Sequence, residues 1–141
     1  MKNMRYKIWD KPNKKWVETP YCINQFGDLQ VNNVIFNNME EFEVILYTGK
    51  NDSNGNPIYE GHILKDDSNF YVVRFGKYQA NNNKSYNNEM AYGFCIEYLN
   101  QHLNEIIDHA TYIQYGTIIG HELESPELLK SRIKWCFYLV S

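Results

Sequence analysis

The chain has 141 residues, with 14 Lys and Arg against 17 Asp and Glu, for a formal net charge of −3. A chain of about 150 residues buries roughly 70% of its unfolded surface, so one domain, or one domain with a small appendage, can build a core without disulfides or metal. Lys outnumbers Arg eleven to three; the basic excess and bidentate Arg that nucleic-acid binders use are both lacking, so nucleic acid stays open as a partner but is not favoured.

Aromatic residues make up 16% of the chain and eighteen Asn punctuate it. Aromatics favour strands and Asn favours turns, which predicts a mainly β fold with one or two short helices. Arg5–Asp10 alternates, Lys11-Pro12-Asn13-Lys14 turns, and Trp16-Val17 restarts an extended run; this is a β-hairpin pattern. Tyr21–Phe26 is a second extended segment, closed by Gly27-Asp28. Leu29, Val31 and Val34-Ile35-Phe36 form another short strand, punctuated by Asn32-Asn33. Glu43–Thr48 is apolar on both faces and predicts a strand buried on both, ended by Gly49.

Ser53-Asn54-Gly55-Asn56 carries the Asn-Gly turn signal, and Pro57 fixes the exit toward Ile63-Leu64. Asp66–Asn69 turns again, and Tyr71–Phe75 is the strongest strand pattern of the chain. Residues 47–75 thus predict strand, turn, strand, turn, strand. Gln79–Glu89 is an Asn-rich polar loop and Tyr92–Ile96 a strand. Ile96, Leu99, Leu103, Ile106 and Ile107 fall at helical spacing, which predicts a helix over Glu97–Asp108. Tyr112–Tyr115 and Thr117–Gly120 are short strands. Ser125-Pro126-Glu127 opens a short helix with Leu128-Leu129 on its buried side, and Trp135–Val140 is a final extended segment.

Three segments together resemble the YopX family of phage and prophage proteins. They are Arg5–Asp10 with Lys15-Trp16; Tyr47-Thr48-Gly49 with Asn54-Gly55, Ile58-Tyr59-Glu60-Gly61 and Ile63; and Ile118-Ile119-Gly120 with Ser125-Pro126-Glu127-Leu128-Leu129. The match spans roughly residues 4–130, and its middle segment is the specific one. Three positions depart from the family pattern: His62 stands where Asp is usual, His121 where Asn is usual, and Lys50 where Leu is usual. The resemblance implies a mostly β protein with an SH3-like β-barrel in its C-terminal part, preceded by an N-terminal β-hairpin region. It implies a phage or prophage setting and no activity. The expected division is residues 1–46 for the hairpin region and 47–141 for the barrel part. The abundance of Asn, Lys, Tyr and Ile also fits a low-GC bacterium or its phage.

Reactive constellations are scarce. The chain has no Gly-x-Ser-x-Gly elbow and no phosphate loop, and Cys22, Cys95 and Cys136 lie too far apart for a close metal pair. Their odd number and spacing read as reduced thiols. His102, Glu105 and His109 would share one face of the predicted helix, as a metal pair or, more plainly, as a solvated face. Glu60 and His62, followed by Asp66 and Asp67, would form an acid–base pair or simply flank the tight path at Gly61. Trp9, Trp16, Tyr47, Tyr59, Tyr71, Phe75 and Tyr78 would line a base-stacking surface or pack a β core. Arg74, Lys77 and Lys84 are the small basic cluster beside them.

The plainer reading is preferred in each case. No catalytic, cofactor-binding or metal-ligating residue is assigned, and no enzyme activity is expected. The N-terminal ten residues carry no apolar signal-peptide core, and no apolar run nears the ~20 residues of a membrane helix. The expectation is a cytoplasmic protein of a bacterial host cell, without membrane or cofactor, acting as a protein-binding or self-assembling module with a protein or a second copy of itself as partner.

Overall fold

A computed structural model describes residues 5–36, 39–66, 69–79, 90–99, 106–107, 113 and 116–129. The protein is mainly β, and the chain divides into two compact units, Met1–Leu46 and Tyr47–Ser141.

In the first unit, β1 (Tyr6–Asp10) and β2 (Lys15–Trp16) form the predicted hairpin, with Trp9 opposite Trp16. The Asp10 carboxylate holds the turn by accepting from the Asn13 backbone N–H at 3.3 Å and its side-chain amide at 2.8 Å. β1 also pairs antiparallel with the first half of β6 (Phe42–Asn51), from Tyr6↔Leu46 to Asp10↔Phe42. A second sheet runs β3 (Tyr21–Ile23), β4 (Leu29–Val31), β5 (Val34–Phe36). Tyr6 stitches the sheets together: its hydroxyl accepts from Ile23 N–H and its carbonyl accepts from the Tyr21 hydroxyl, both at 3.1 Å. Ile8, Trp9, Leu29 and Ile45 are buried here.

Two expectations change in this unit. The run from Leu29 to Phe36 is two strands, because Asn32 and Asn33 both take positive φ (52° and 72°) and reverse the chain between Val31 and Val34. Two successive left-handed residues form the hairpin turn whose twist matches antiparallel strands, and Asn tolerates that conformation. The strand around Glu43–Thr48 is not buried on both faces. Only Ile45 is buried, and Val44, Leu46 and Tyr47 are half-buried.

In the second unit, β6 continues past Gly49 to Asn51 and pairs with β7 (Pro57–Tyr59) across a register shift, so Gly49 marks a bulge and not an end. The main sheet is antiparallel throughout, in the order β11 (Ile106–Ile107), β10 (Met90–Tyr98), β9 (Asn69–Gln79), β8 (His62–Asp66), β12 (Thr117–His121), and curls into a half-barrel. Among the described residues β11 and β12 do not pair with each other. Ile58, Leu64, Tyr71, Val73, Ile96 and Ile113 form its core, with Phe94, Tyr98 and Ile118 packed against them. Tyr71 donates its hydroxyl to the Ile113 carbonyl at 3.2 Å, and burial pushes that phenol above its ordinary range.

The helix predicted over Glu97–Asp108 is contradicted at both ends. Glu97 and Tyr98 belong to β10, and Ile106–Ile107 form β11, with Ile96 opposite Ile107. An apolar spacing of ten or eleven residues suits a helix face, but it equally suits the two arms of an antiparallel pair. Ile113 sits in a 3-10 turn instead of a strand. The short helix after Ser125-Pro126 is present at residues 127–129. The loop over residues 80–89 and the extended segment Trp135–Val140 lie outside the described residues.

Candidate functional site

The segment that carries the family pattern is organised around one tight turn. Between β7 and β8, Gly61 takes φ +87°, a conformation that residues with a Cβ adopt at a cost. Its N–H donates to the Val73 carbonyl at 2.7 Å, and its carbonyl accepts from Glu122 N–H at 3.0 Å. A Cβ at this position would lie 2.6 Å from Cε1 of His121. Backbone and imidazole approach so closely that only glycine fits.

His121 is 2% exposed. Leu123 N–H donates to its Nδ1 at 3.1 Å, which leaves Nε2 to carry the proton and donate to the Glu60 carbonyl at 2.7 Å. His62 lies directly opposite, since the β8–β12 register pairs His121 with His62, and the rings meet edge to face at 5.0 Å. His62 Nδ1 accepts from Tyr59 N–H at 2.8 Å and so closes the turn from within. Two of the three departures from the family pattern, His62 and His121, are therefore cross-strand neighbours. The rings continue from His62 to Tyr59 at 6.0 Å and from Tyr59 to Tyr47 at 5.3 Å.

This geometry bears on the acid–base reading of Glu60 and His62. Glu60 lies in the turn before β8, so the two are not strand neighbours on a shared face. The Glu60 carbonyl and His62 Nδ1 both hold the backbone path. The cluster does structural hydrogen bonding at every atom named. Among the described residues no group of three or more His, Cys, Asp or Glu is arranged to hold a metal ion. His102, Glu105, His109 and Asp67 lie outside them.

A second polar centre went unnoticed in the sequence. Asp52 is 6% exposed, and its Oδ1 accepts from Asn54 N–H at 2.9 Å and Asn56 N–H at 2.8 Å, while Oδ2 accepts from Ile118 N–H at 3.1 Å. Burial pushes this carboxyl up, but the N–H donors of Ile118, Asn56 and Asn54 outweigh it and hold it below the usual carboxylate range. Ser53 adds a hydroxyl contact to Thr117 at 2.8 Å. The turn is thereby fastened to β12. The available signal was an Asp opening an Asn-Gly turn, where a short carboxylate bonds the backbone two residues on.

Arg74 lies on β9 between two carboxylates, donating from Nε to Glu97 at 3.2 Å and from Nη1 to Glu122. Partial burial pulls its pKa down, yet the two carboxylates keep it above the ordinary value. Its charge is engaged within the fold, which removes Arg74 from the basic cluster expected beside the aromatics. The Lys77 side chain and Lys84 lie outside the description.

The seven aromatics do not form one platform. Trp9 and Trp16 pack on each other in the first unit, Tyr47 and Tyr59 pair, and Tyr71 is core. The Tyr78 side chain lies outside the description. Phe75 instead joins two residues that sequence reasoning did not single out. It contacts Phe94 at 4.8 Å and Tyr92 at 5.2 Å, edge to face in both cases. Phe75 is 36% and Tyr92 69% exposed. The β9–β10 register explains this exposure. Tyr71↔Tyr98 and Val73↔Ile96 lie over the core, and the same face continues through Phe75↔Phe94 to Tyr92. β8 accompanies β9 only through Val72, and β11 accompanies β10 only at Ile96 and Glu97. Among the described residues, the stretch from Phe75 to Gln79 and from Met90 to Phe94 is a two-stranded arm with no third strand.

The family model described as YopX protein matches residues 5–130. No curated protein matches the sequence. Among solved structures, the chain is similar to protein EF1440 from Enterococcus faecalis, at 17% identity over 89% of this chain and 96% of that chain, with a TM-score of 0.43. With the family match running from β1 through the Gly61 turn to the helical turn after Pro126, the chain belongs to the YopX family.

Proposed function

We propose that this protein is a non-enzymatic protein-contact module of phage or prophage origin that works in the cytoplasm of a bacterial host and meets its partner through the β9–β10 arm. The observation that carries the reading is the cluster of Phe75, Tyr92 and Phe94, which extends the core face beyond the sheet with Tyr92 69% exposed. Large aromatics concentrate binding energy at protein interfaces, because they bury much area for little lost side-chain freedom. An isolated two-stranded ribbon is marginal in water, and a partner would complete it. The polar groups at the family-pattern segment support the same reading, since His62, His121 and Asp52 hold turns in place. The phage setting rests on family membership and on the Asn-, Lys-, Tyr- and Ile-rich composition.

The test compares the full chain with its Phe75→Ser/Tyr92→Ser variant as bait in bacterial lysate, followed by direct titration of whatever only the wild type retains. A purified protein that binds wild type and loses affinity for the variant supports the reading. Equal retention by both baits overturns the arm as the contact surface. Salt-dependent retention on DNA or RNA would favour a nucleic-acid role instead; the pairing of Arg74 with Glu97 and Glu122 counts against that outcome.

A further inference from the structure

We infer that His62 and His121 form an acid-sensitive latch, which ties the turn from Tyr59 to His62 to the end of β12 only while both rings are neutral. This goes beyond the contact reading above and stands apart from it. The two rings meet edge to face at 5.0 Å across the β8–β12 pair, His121 buried and His62 half-buried. Each uses Nδ1 as an acceptor, His62 from Tyr59 N–H at 2.8 Å and His121 from Leu123 N–H at 3.1 Å. His121 Nε2 donates to the Glu60 carbonyl at 2.7 Å. A neutral imidazole has one donor and one acceptor, whereas an imidazolium has two donors. A proton on either Nδ1 therefore sets an N–H against a backbone N–H, and an attraction becomes a repulsion.

His62 closes the turn, Leu123 fixes the His121 ring, and that ring reaches across to Glu60. When these bonds open, both imidazoles meet water and take up protons as pH falls through their ordinary range, about 6.5. The closed latch is therefore fully favoured above that range and loses stability below it, because the open state binds more protons. The charged and titratable groups nearest in chain and register are Tyr47 on β6, Tyr59 on β7, Glu60 in the turn, Arg74 on β9, and Glu122 and Glu124 after β12. Burial holds the Tyr59 phenol above its ordinary value, well outside this window, and Glu122 is paired with Arg74. The carboxylates attract an imidazolium but restore neither Nδ1 bond.

The test follows the full chain from about pH 7.5 to about pH 5.5, a window centred on the imidazole range. Nitrogen NMR reads the protonation of each ring, and hydrogen exchange reads the protection of the Tyr59 and Leu123 amides. Both readouts are resolved by residue because His102 and His109 are imidazoles too. The expected result is two neutral rings with the proton on Nε2 at the upper pH, and protection at Tyr59 and Leu123 that falls roughly tenfold for each ring by the lower pH. Amides in the middle of β9 should keep theirs. A His62→Asn/His121→Asn variant keeps an acceptor and a donor at each place without a titrating ring, and its protection should stay level. A ring already charged in the folded chain at the upper pH overturns the inference. So does wild-type protection at Tyr59 and Leu123 that stays level or rises on acidification, or a folded variant that keeps the full pH response. The first two outcomes need only the wild type, so they decide the matter even where the variant does not fold.

Discussion

His121 occupies the space that any side chain at residue 61 would need. The Cε1 atom stands 2.6 Å from where a Cβ on Gly61 would sit, and the Gly61 carbonyl is held by the N–H of Glu122, the very next residue. Neither group can retreat without breaking the Nε2 bond to Glu60 or the bond from Leu123 to Nδ1.

Gly61→Ala is therefore expected to destabilise strongly. Overpacking costs roughly 1–3 kcal/mol, and an L side chain at φ +87° adds roughly 1–2 kcal/mol. Urea unfolding measures the total. In a double-mutant cycle with His121→Ala the two losses should fall short of additivity by about 0.5–3 kcal/mol, because removing the ring frees the space. Strict additivity would refute the contact.

Gly120→Ala should cost less. Its Cβ would also meet an obstacle at 2.6 Å, but that obstacle is Cδ1 of half-buried Leu128, the far end of a flexible side chain. The φ of Gly120 is not positive. A loss below about 1.5 kcal/mol is expected, and Leu128→Ala in the same chain should relieve it. Equal destabilisation by the two glycine substitutions would contradict this ordering.

Asp52 predicts a defined acid response. Its folded pKa lies below that of an ordinary carboxylate, so its contribution is fully present above the ordinary value and is lost as pH falls through the folded pKa. Asp52→Asn would turn an amide donor or a weaker acceptor toward the N–H groups of Asn54, Asn56 and Ile118. The variant should lose roughly 1–3 kcal/mol at neutral pH and show a flatter decline in stability below about pH 4. Parallel wild-type and variant curves through that range would exclude the assigned role.

Arg74→Gln should change stability by less than about 1 kcal/mol despite its two ion pairs, because all three partners are partly exposed and solvent screens them. The loss should shrink further in high salt. A large, salt-independent loss would mean that the guanidinium is far more desolvated than its exposure indicates.

Much of the fold was legible because it is local. Asn-Gly and Pro corners between short aromatic runs predicted the β class and the β1–β2 hairpin, but the middle strand expected within residues 47–75 is two, β7 and β8, parted by the turn at Glu60-Gly61. Family motifs were legible as spacing, and the structure supplies their physical content. Gly61 makes room for His121, and Gly120 makes room for Leu128. The Asn32-Asn33 hairpin is legible in principle, since two successive Asn suit a left-handed turn, yet the same pair also fits punctuation within one strand.

The sequence by itself determined which short segments extend and where they turn, since those choices depend on φ preferences and side chains a few residues apart. Only the tertiary structure decided that Ile96 meets Ile107 across a strand pair, that His62 faces His121, and that Asp52 reaches Ile118. Each of these depends on the register between distant segments. Register is set by how whole strands bury their faces together, and a one-residue slip would exchange one face for the other.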